Sequence, residues 1–387
     1  MNKLRDTYRR IFPKKQPLPA GIFQYQTPPE TAQQYRLHLR LEPDGLGLLI
    51  VNAKTVLHLN QTAAELAYYM VNQTPDAEVG RQMARRYHVK RDQALNDFHI
   101  LRDQIDALIH APNLDPETFL NFERRDPYTT DLSAPYRLDC ALTYRVSTTS
   151  NPEDAPAERV RRELTTTEWQ TIMDKAWQAG IPHIVFTGGE PTMRPDLPDL
   201  IAYAEKVGLV SGVLSDGLRL TEPDYLASLL KNGLDHLLIV LHPETEQSWE
   251  ALRDVLTADI FTTVHVTITP ENQETIPTLL HRLSDMGVKS LSLSASSEAL
   301  SGAIKDARAS ADQLGLSLEW DLPVPYSSLH PVALELAEHA TLPQGAGKAW
   351  LYVEPDGDVL PCQGVTTVMG NLLADTWDSI WKNRPQG

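Results

Sequence analysis

From residue 135 onward the chain alternates short apolar runs with longer amphipathic stretches, and this alternation constrains the fold more than any other feature. The segments run Tyr136 to Tyr144, Thr167 to Ala179, His183 to Phe186, Leu197 to Val207, Val210 to Leu214, Glu222 to Asn232, His236 to Leu241, Ser248 to Leu256, Thr263 to Ile268, Glu274 to Met286 and Ser290 to Leu293. Strand and helix repeating in turn predict a parallel sheet covered by helices, either open or partly closed as a barrel. Ligands of such folds sit at the carboxyl ends of the strands, so the loops that follow the strands hold the functional information.

Composition narrows the classes. With 387 residues, 42% of them apolar, the chain can bury large cores in two or three domains. A formal net charge of -16 repels polyphosphates, so no nucleic-acid partner is expected. Its two cysteines, Cys140 and Cys362, are too few and too far apart for a disulfide scaffold or a four-thiolate site, which suits a reducing cytoplasm. The N-terminal residues contain no apolar signal core, and no stretch approaches the length of a transmembrane span, so a secreted or membrane-spanning protein is not expected. Arg9, Arg10, Lys14 and Lys15 beside Leu4, Tyr8, Ile11 and Phe12 could make peripheral contact with an anionic membrane or a partner, although a short helix docked on its own domain is the simpler reading.

Before the repeating region, Arg36-Leu-His-Leu-Arg-Leu41 alternates, Glu42-Pro-Asp-Gly45 supplies a turn, and Leu48 to Val51 and Val56 to Leu59 continue a small antiparallel sheet. Helical spacing follows from Thr62 to Val71, Asp76 to Tyr87 and Arg91 to Ile109. The unit reads as a winged-helix-like α+β domain. Its strand run ending Leu57-His-Leu-Asn60, its Thr62-Ala-Ala-Glu65 helix start and the stretch Tyr87 to Phe98 resemble the PqqD-like family, which recognises peptides in peptide-modification systems. That resemblance implies a peptide or partner protein bound through residues 33–110, by strand addition to the sheet edge. A plain packing domain is the alternative. Pro-, Asp- and Asn-rich residues 111–134 then form a linker.

The loop after His183-Ile-Val-Phe186 reads Thr187-Gly-Gly-Glu-Pro-Thr-Met-Arg-Pro-Asp196. Paired glycines allow close backbone approach to a ligand, and Glu190 offers an acceptor for an ammonium group. Together with Leu142-Thr-Tyr-Arg145, Glu163-Leu-Thr-Thr-Thr-Glu-Trp169, Leu214-Ser-Asp-Gly217 and Gly233-Leu-Asp-His-Leu237, this resembles the radical S-adenosylmethionine (SAM) superfamily. The resemblance implies a partial (β/α) barrel in which Gly188, Gly189 and Glu190 hold the amino end of SAM and Ser215 and Asp216 lie near its ribose. It also implies a CxxxCxxC loop for a 4Fe-4S cluster, and here the sequence departs from the family, because Val146, Ser150 and Glu153 occupy the three ligand positions. An iron–sulfur cluster needs thiolates, so the expectation from sequence is no metal, no 4Fe-4S cluster and no radical chemistry, with SAM as the cofactor the surviving loops still permit.

The C-terminal stretch Trp350 to Cys362, with Met369-Gly-Asn-Leu-Leu373 and Trp377-Asp-Ser-Ile-Trp381, resembles the accessory SPASM or twitch domain, with a hairpin at Asp356-Gly357 and Cys362 as its one cysteine. The expected organisation is therefore an N-terminal basic segment at 1–32, the PqqD-like domain at 33–110, the linker at 111–134, the α/β barrel at 135–325 and a small SPASM/twitch-like region at 326–387. The leading functional reading is a non-catalytic accessory or scaffold in a peptide-modification pathway. A second reading is an enzyme that has turned the barrel to polar chemistry, with Glu153, Asp154, Glu163, Glu190 and His183 as acid and base groups. A third is a structural subunit of a larger assembly. His242 and Arg253, also near the loops, are read as satisfied or solvent-exposed.

Overall fold

The computed structural model describes residues 16–28, 30–31, 35–52, 55–110, 132–147, 160, 162–318, 342 and 345–385. The basic N-terminal cluster, linker residues 111–131, Ser150, Glu153 and Asp154 lie outside the described residues. The chain divides into two compact units, Met1–Arg125 and Asp126–Gly387.

In the first unit, β1 (Gly21–Gln26), β2 (Arg36–Leu41), β3 (Gly47–Val51) and β4 (Thr55–Leu59) form an antiparallel sheet in chain order. Helices α1 (Gln61–Val71), α2 (Asp76–Tyr87) and α3 (Arg91–His110) follow. Alternation sends Leu37, Leu39, Leu49 and Leu57 to one face of the sheet, where they pack with Leu66, Phe98 and Ile105 of the helices. Gly45 turns the β2–β3 hairpin at φ +88°, and the Asn60 side chain caps α1 by accepting from the Ala63 N–H at 3.0 Å. This is the expected α+β unit with one correction. Strand β1 lies inside residues 1–32, read from the sequence as a basic N-terminal segment, where Phe23 and Tyr25 alternate with Gln24 and Gln26.

The second unit begins with β5 (Arg137–Thr143), α4 (Thr166–Ala179), β6 (His183–Gly188), α5 (Leu197–Val207), β7 (Val210–Ser215), α6 (Pro223–Lys231) and β8 (His236–Val240). It continues through α7 (Glu246–Val255), β9 (Phe261–Ile268), α8 (Ile276–Asp285), β10 (Ser290–Ala295), α9 (Ser301–Gln313) and β11 (Ser317–Leu318). Strands β12 (Trp350–Val353), β13 (Asp358–Leu360) and β14 (Gly370–Asn371) and helix α10 (Trp377–Lys382) complete it. The ten strands run β11-β10-β9-β8-β7-β6-β5-β12-β13-β14. Strands β5 to β11 are parallel, β12 joins β5 in parallel, and β13 and β14 return antiparallel around the Gly357 turn. With β11 and β14 at its edges the sheet is open, as expected for a partial barrel.

Strict alternation separates two faces. Leu138, Cys140, Ile184, Phe186, Val213, Leu237 and Ile239 pack under α4 to α6, while Val264, Val266, Leu291 and Leu293 pack under α8 and α9. Arg137, Asp139, His183, His236 and His265 therefore fall on the opposite face, beside the apolar patch Val185, Leu214, Leu238 and Val240. Helix α4 starts in a capping box between Thr165 and Glu168 and ends at Gly180, φ +86°. These caps fix where the chain leaves each helix, and so set the loops at the strand ends.

Candidate functional site

Three strand ends converge. The β6 exit needs its glycines for approach to neighbouring chain: a Cβ on Gly188, φ +134°, would lie 2.1 Å from the Thr143 carbonyl oxygen, and one on Gly189 would lie 2.2 Å from that of Arg145. In return the Gly189 N–H donates to Thr143 O at 2.8 Å and the Glu190 N–H to Arg145 O at 2.7 Å, which ties the β6 loop to the β5 loop. The glycine pair thus serves chain packing as well as any ligand.

Glu190 is 2% exposed. Its Oε1 accepts from the Thr192 N–H at 3.0 Å, the Thr192 hydroxyl at 2.6 Å and the Ser215 hydroxyl at 2.9 Å, and its Oε2 accepts from the Asp216 N–H at 2.8 Å. Burial, reinforced by the charge of Asp216, pushes this carboxyl up to about 8 against the pull of its donors. Sequence reasoning offered Glu190 as an open acceptor for an ammonium group. Three of the fold's own donors reach Oε1 and one reaches Oε2, which makes Glu190 the hub of the loops.

Asp216 accepts from the Leu218 N–H at 3.0 Å through Oδ1 and from the Ser147 hydroxyl at 2.5 Å through Oδ2. Ser215 Oγ also accepts from the Gly217 N–H at 3.0 Å, and Gly217 holds φ +79° to start the 3-10 turn Leu218–Thr221. Ser147, Thr192, Met193, Asp216, Leu218, Arg219 and Thr221, with Gln247, Glu250, Arg253 and Asp254 of α7, line a cavity of about 560 Å³. All five residues proposed for SAM, Gly188, Gly189, Glu190, Ser215 and Asp216, therefore meet at the carboxyl ends of β6 and β7. Ser147 and Thr192 were missed. An isolated Ser gives no pattern to read, whereas Thr192 was readable as the residue that closes the turn two positions after Glu190.

Of the acid and base groups offered for polar chemistry, Glu163, Glu190 and His183 are among the described residues, and His183 stands apart from the other two. Glu163 accepts from the Thr143 hydroxyl and from Arg145 Nη2, the latter at 3.3 Å. His183 opens β6 while Glu190 follows its end, so the strand separates them by roughly 20 Å at ~3.3 Å per residue. His183 Nε2 instead meets His236 Nε2 at 2.7 Å. Gly212 makes room for that pair, since a Cβ there would lie 2.1 Å from His236 Cε1. Burial, with Arg137 adding to it, lowers His236 to about 4. His242 is 3.8 Å from Glu244, and Arg253, 3.8 Å from Glu246, lines the cavity.

At the C-terminal hairpin one carboxylate oxygen from each of Glu354, Asp356 and Asp358 lies within 4.8 Å of the others. Tyr144 donates to Glu354 at 2.9 Å and Asn371 to Asp358 at 2.8 Å, so this group ties the β5 loop and β14 to the hairpin.

Residues 140–243 match the radical SAM superfamily model and residues 345–386 match the SPASM model, described as an iron–sulfur cluster-binding domain. Relatives of the chain include the PqqA peptide cyclase of Gluconobacter oxydans, 27% identical over 296 residues that cover 65% of this chain and 78% of the relative. The PqqA peptide cyclase of Streptomyces rochei is 29% identical over 279 residues, 65% of this chain and 76% of the relative. In fold, the chain is similar to Streptococcus suis SuiB bound to precursor peptide SuiA, with a TM-score of 0.57, 14% identity and coverage of 89% of this chain and 86% of that one.

These matches correct the expectation of a protein without cofactors, because radical SAM and SPASM domains with PqqA cyclase relatives imply SAM and iron–sulfur clusters. The residues present fit the two unequally. A cavity floored by Asp216 beside the Glu190 hub suits a small polar cofactor such as SAM. The chain has two thiols, both buried: Cys140 packs in the helix-side core with its thiol raised well above the ordinary value, and burial pushes Cys362 up to about 12. Iron ligation takes thiolates, which burial of this kind opposes, and two buried thiols do not fit a cluster held by three. Among the described residues, no helix is long and apolar enough to cross a membrane.

Proposed function

We propose that this chain is an accessory of a peptide-modification pathway that holds SAM at the carboxyl ends of β6 and β7 and engages a peptide or partner protein through residues 33–110. The observation that carries the reading is the shared cluster of Glu190, Ser215 and Asp216 at the edge of the cavity. Glu190 fixes the loop geometry and the Asp216 carboxylate offers an acceptor to a ligand in the cavity. SAM supplies a sulfonium and a nucleoside when bound; the chain's own residues bind and orient it.

Engagement of a peptide follows the PqqD-like reading of the first unit. An added strand would pair along an edge of the four-stranded sheet, and neighbouring side chains would select its register. A scaffold role, in place of radical cleavage by the chain itself, is supported by its two buried thiols.

The test is anaerobic reconstitution with iron and sulfide, then incubation with SAM and a strong reductant. Retention of intact SAM supports the accessory role. Reductive cleavage of the SAM carbon–sulfur bond in stoichiometric or catalytic amount overturns it in favour of a radical enzyme.

A further inference from the structure

We propose that Ser147 is an internal competitor for a nucleoside at Asp216, its hydroxyl occupying the carboxylate oxygen to which a ribose hydroxyl would donate. The proposal rests on the reading of these loops as a SAM-holding site, and it names the group in this chain that sets the affinity there.

Ser147 Oγ donates to Asp216 Oδ2 at 2.5 Å, a short charge-assisted contact, while Oδ1 accepts from the Leu218 backbone. Both side chains line the 560 Å³ cavity. A sugar hydroxyl is the same donor as a serine hydroxyl, and Asp216 is 6% exposed, so a ligand reaching Oδ2 exchanges one O–H···O contact for another. Exchange of like for like yields little net affinity until the resident hydroxyl is removed. The other hydroxyls lining the cavity are committed elsewhere, Thr192 donating to Glu190 and Thr221 to the Leu218 carbonyl, while the Arg219 guanidinium donates to the Thr192 carbonyl and stacks on Tyr225. Ser147 is thus the lining hydroxyl that sits on the Asp216 carboxylate, and its chemistry matches the ligand's.

The experiment is isothermal titration of the full chain, as wild type, Ser147→Ala and Ser147→Thr, with SAM, adenosine and 2′,3′-dideoxyadenosine. Ser147→Ala is expected to tighten SAM and adenosine roughly 2- to 10-fold, the worth of one hydrogen bond, and to leave dideoxyadenosine within about twofold. Ser147→Thr, which keeps the hydroxyl, is expected to behave as wild type. Unchanged or weaker adenosine binding by Ser147→Ala, or equal tightening of dideoxyadenosine, overturns the competitor role while leaving the SAM site standing. Failure of all three proteins to bind SAM or adenosine overturns both.

Discussion

Strands β6 to β8 carry a buried titratable group at each end, and the two ends solve the same problem differently. At the carboxyl end Glu190 is surrounded by four donors and lies beside a cavity. At the amino end His183 and His236 bond to each other through a single 2.7 Å contact. Burial opposes charge at both, raising Glu190 to about 8 and lowering His236 to about 4. The carboxyl end presents further polar groups to a cavity, whereas at the amino end the two imidazole rings meet each other. Burial alone does not mark a functional site; a neighbouring space with groups turned into it does.

Each end also depends on a glycine, and this gives the largest expected effects. Gly188→Ala drives a Cβ into the fixed Thr143 carbonyl at positive φ, so a loss of about 3 kcal/mol or more is expected in chemical denaturation. Gly212→Ala meets the His236 ring instead, and combining it with His236→Ala is expected to recover stability. Failure of the double variant to recover would remove the contrast between the ends.

Glu190→Gln places an amide N–H₂ among four donors, and about 1 to 3 kcal/mol of stability should be lost, read as a lower thermal midpoint. The pH dependences have opposite signs. A histidine lowered from 6.5 to about 4 contributes stability that is full above 6.5 and lost as pH falls toward 4, and His236→Asn is expected to flatten that acid limb. A glutamate raised from 4.5 to about 8 contributes stability that is full below 4.5 and lost as pH rises through 8, and Glu190→Gln should flatten that alkaline limb. The smallest expected effect is Thr165→Ala, which removes the cap of α4 at a cost of about 1 kcal/mol in thermal unfolding without altering either limb.

The repeating half was readable because each strand is a short apolar run and each helix has a clear start or stop, as at Thr165 and Gly180. The loop at Gly188 to Asp196 was readable because glycine pairs and proline restrict the backbone in recognisable ways. Strand β1 was not, since its four-residue alternation lies in a stretch judged by its charge. His183 was grouped with Glu190 as an acid and base candidate, but an extended strand turns the short interval between them into the height of the sheet. Ser147 escaped because its importance arises only when β5 and β7 are brought together.

The most direct measurement is isothermal titration of wild type and Asp216→Asn with SAM at neutral pH. The account predicts saturable binding by wild type that weakens by about two- to fourfold when the carboxylate is lost, less than an uncontested hydrogen bond to a charged group is worth because the Ser147 hydroxyl competes for the same oxygen. Absence of binding by wild type, or equal binding by both proteins, would contradict it.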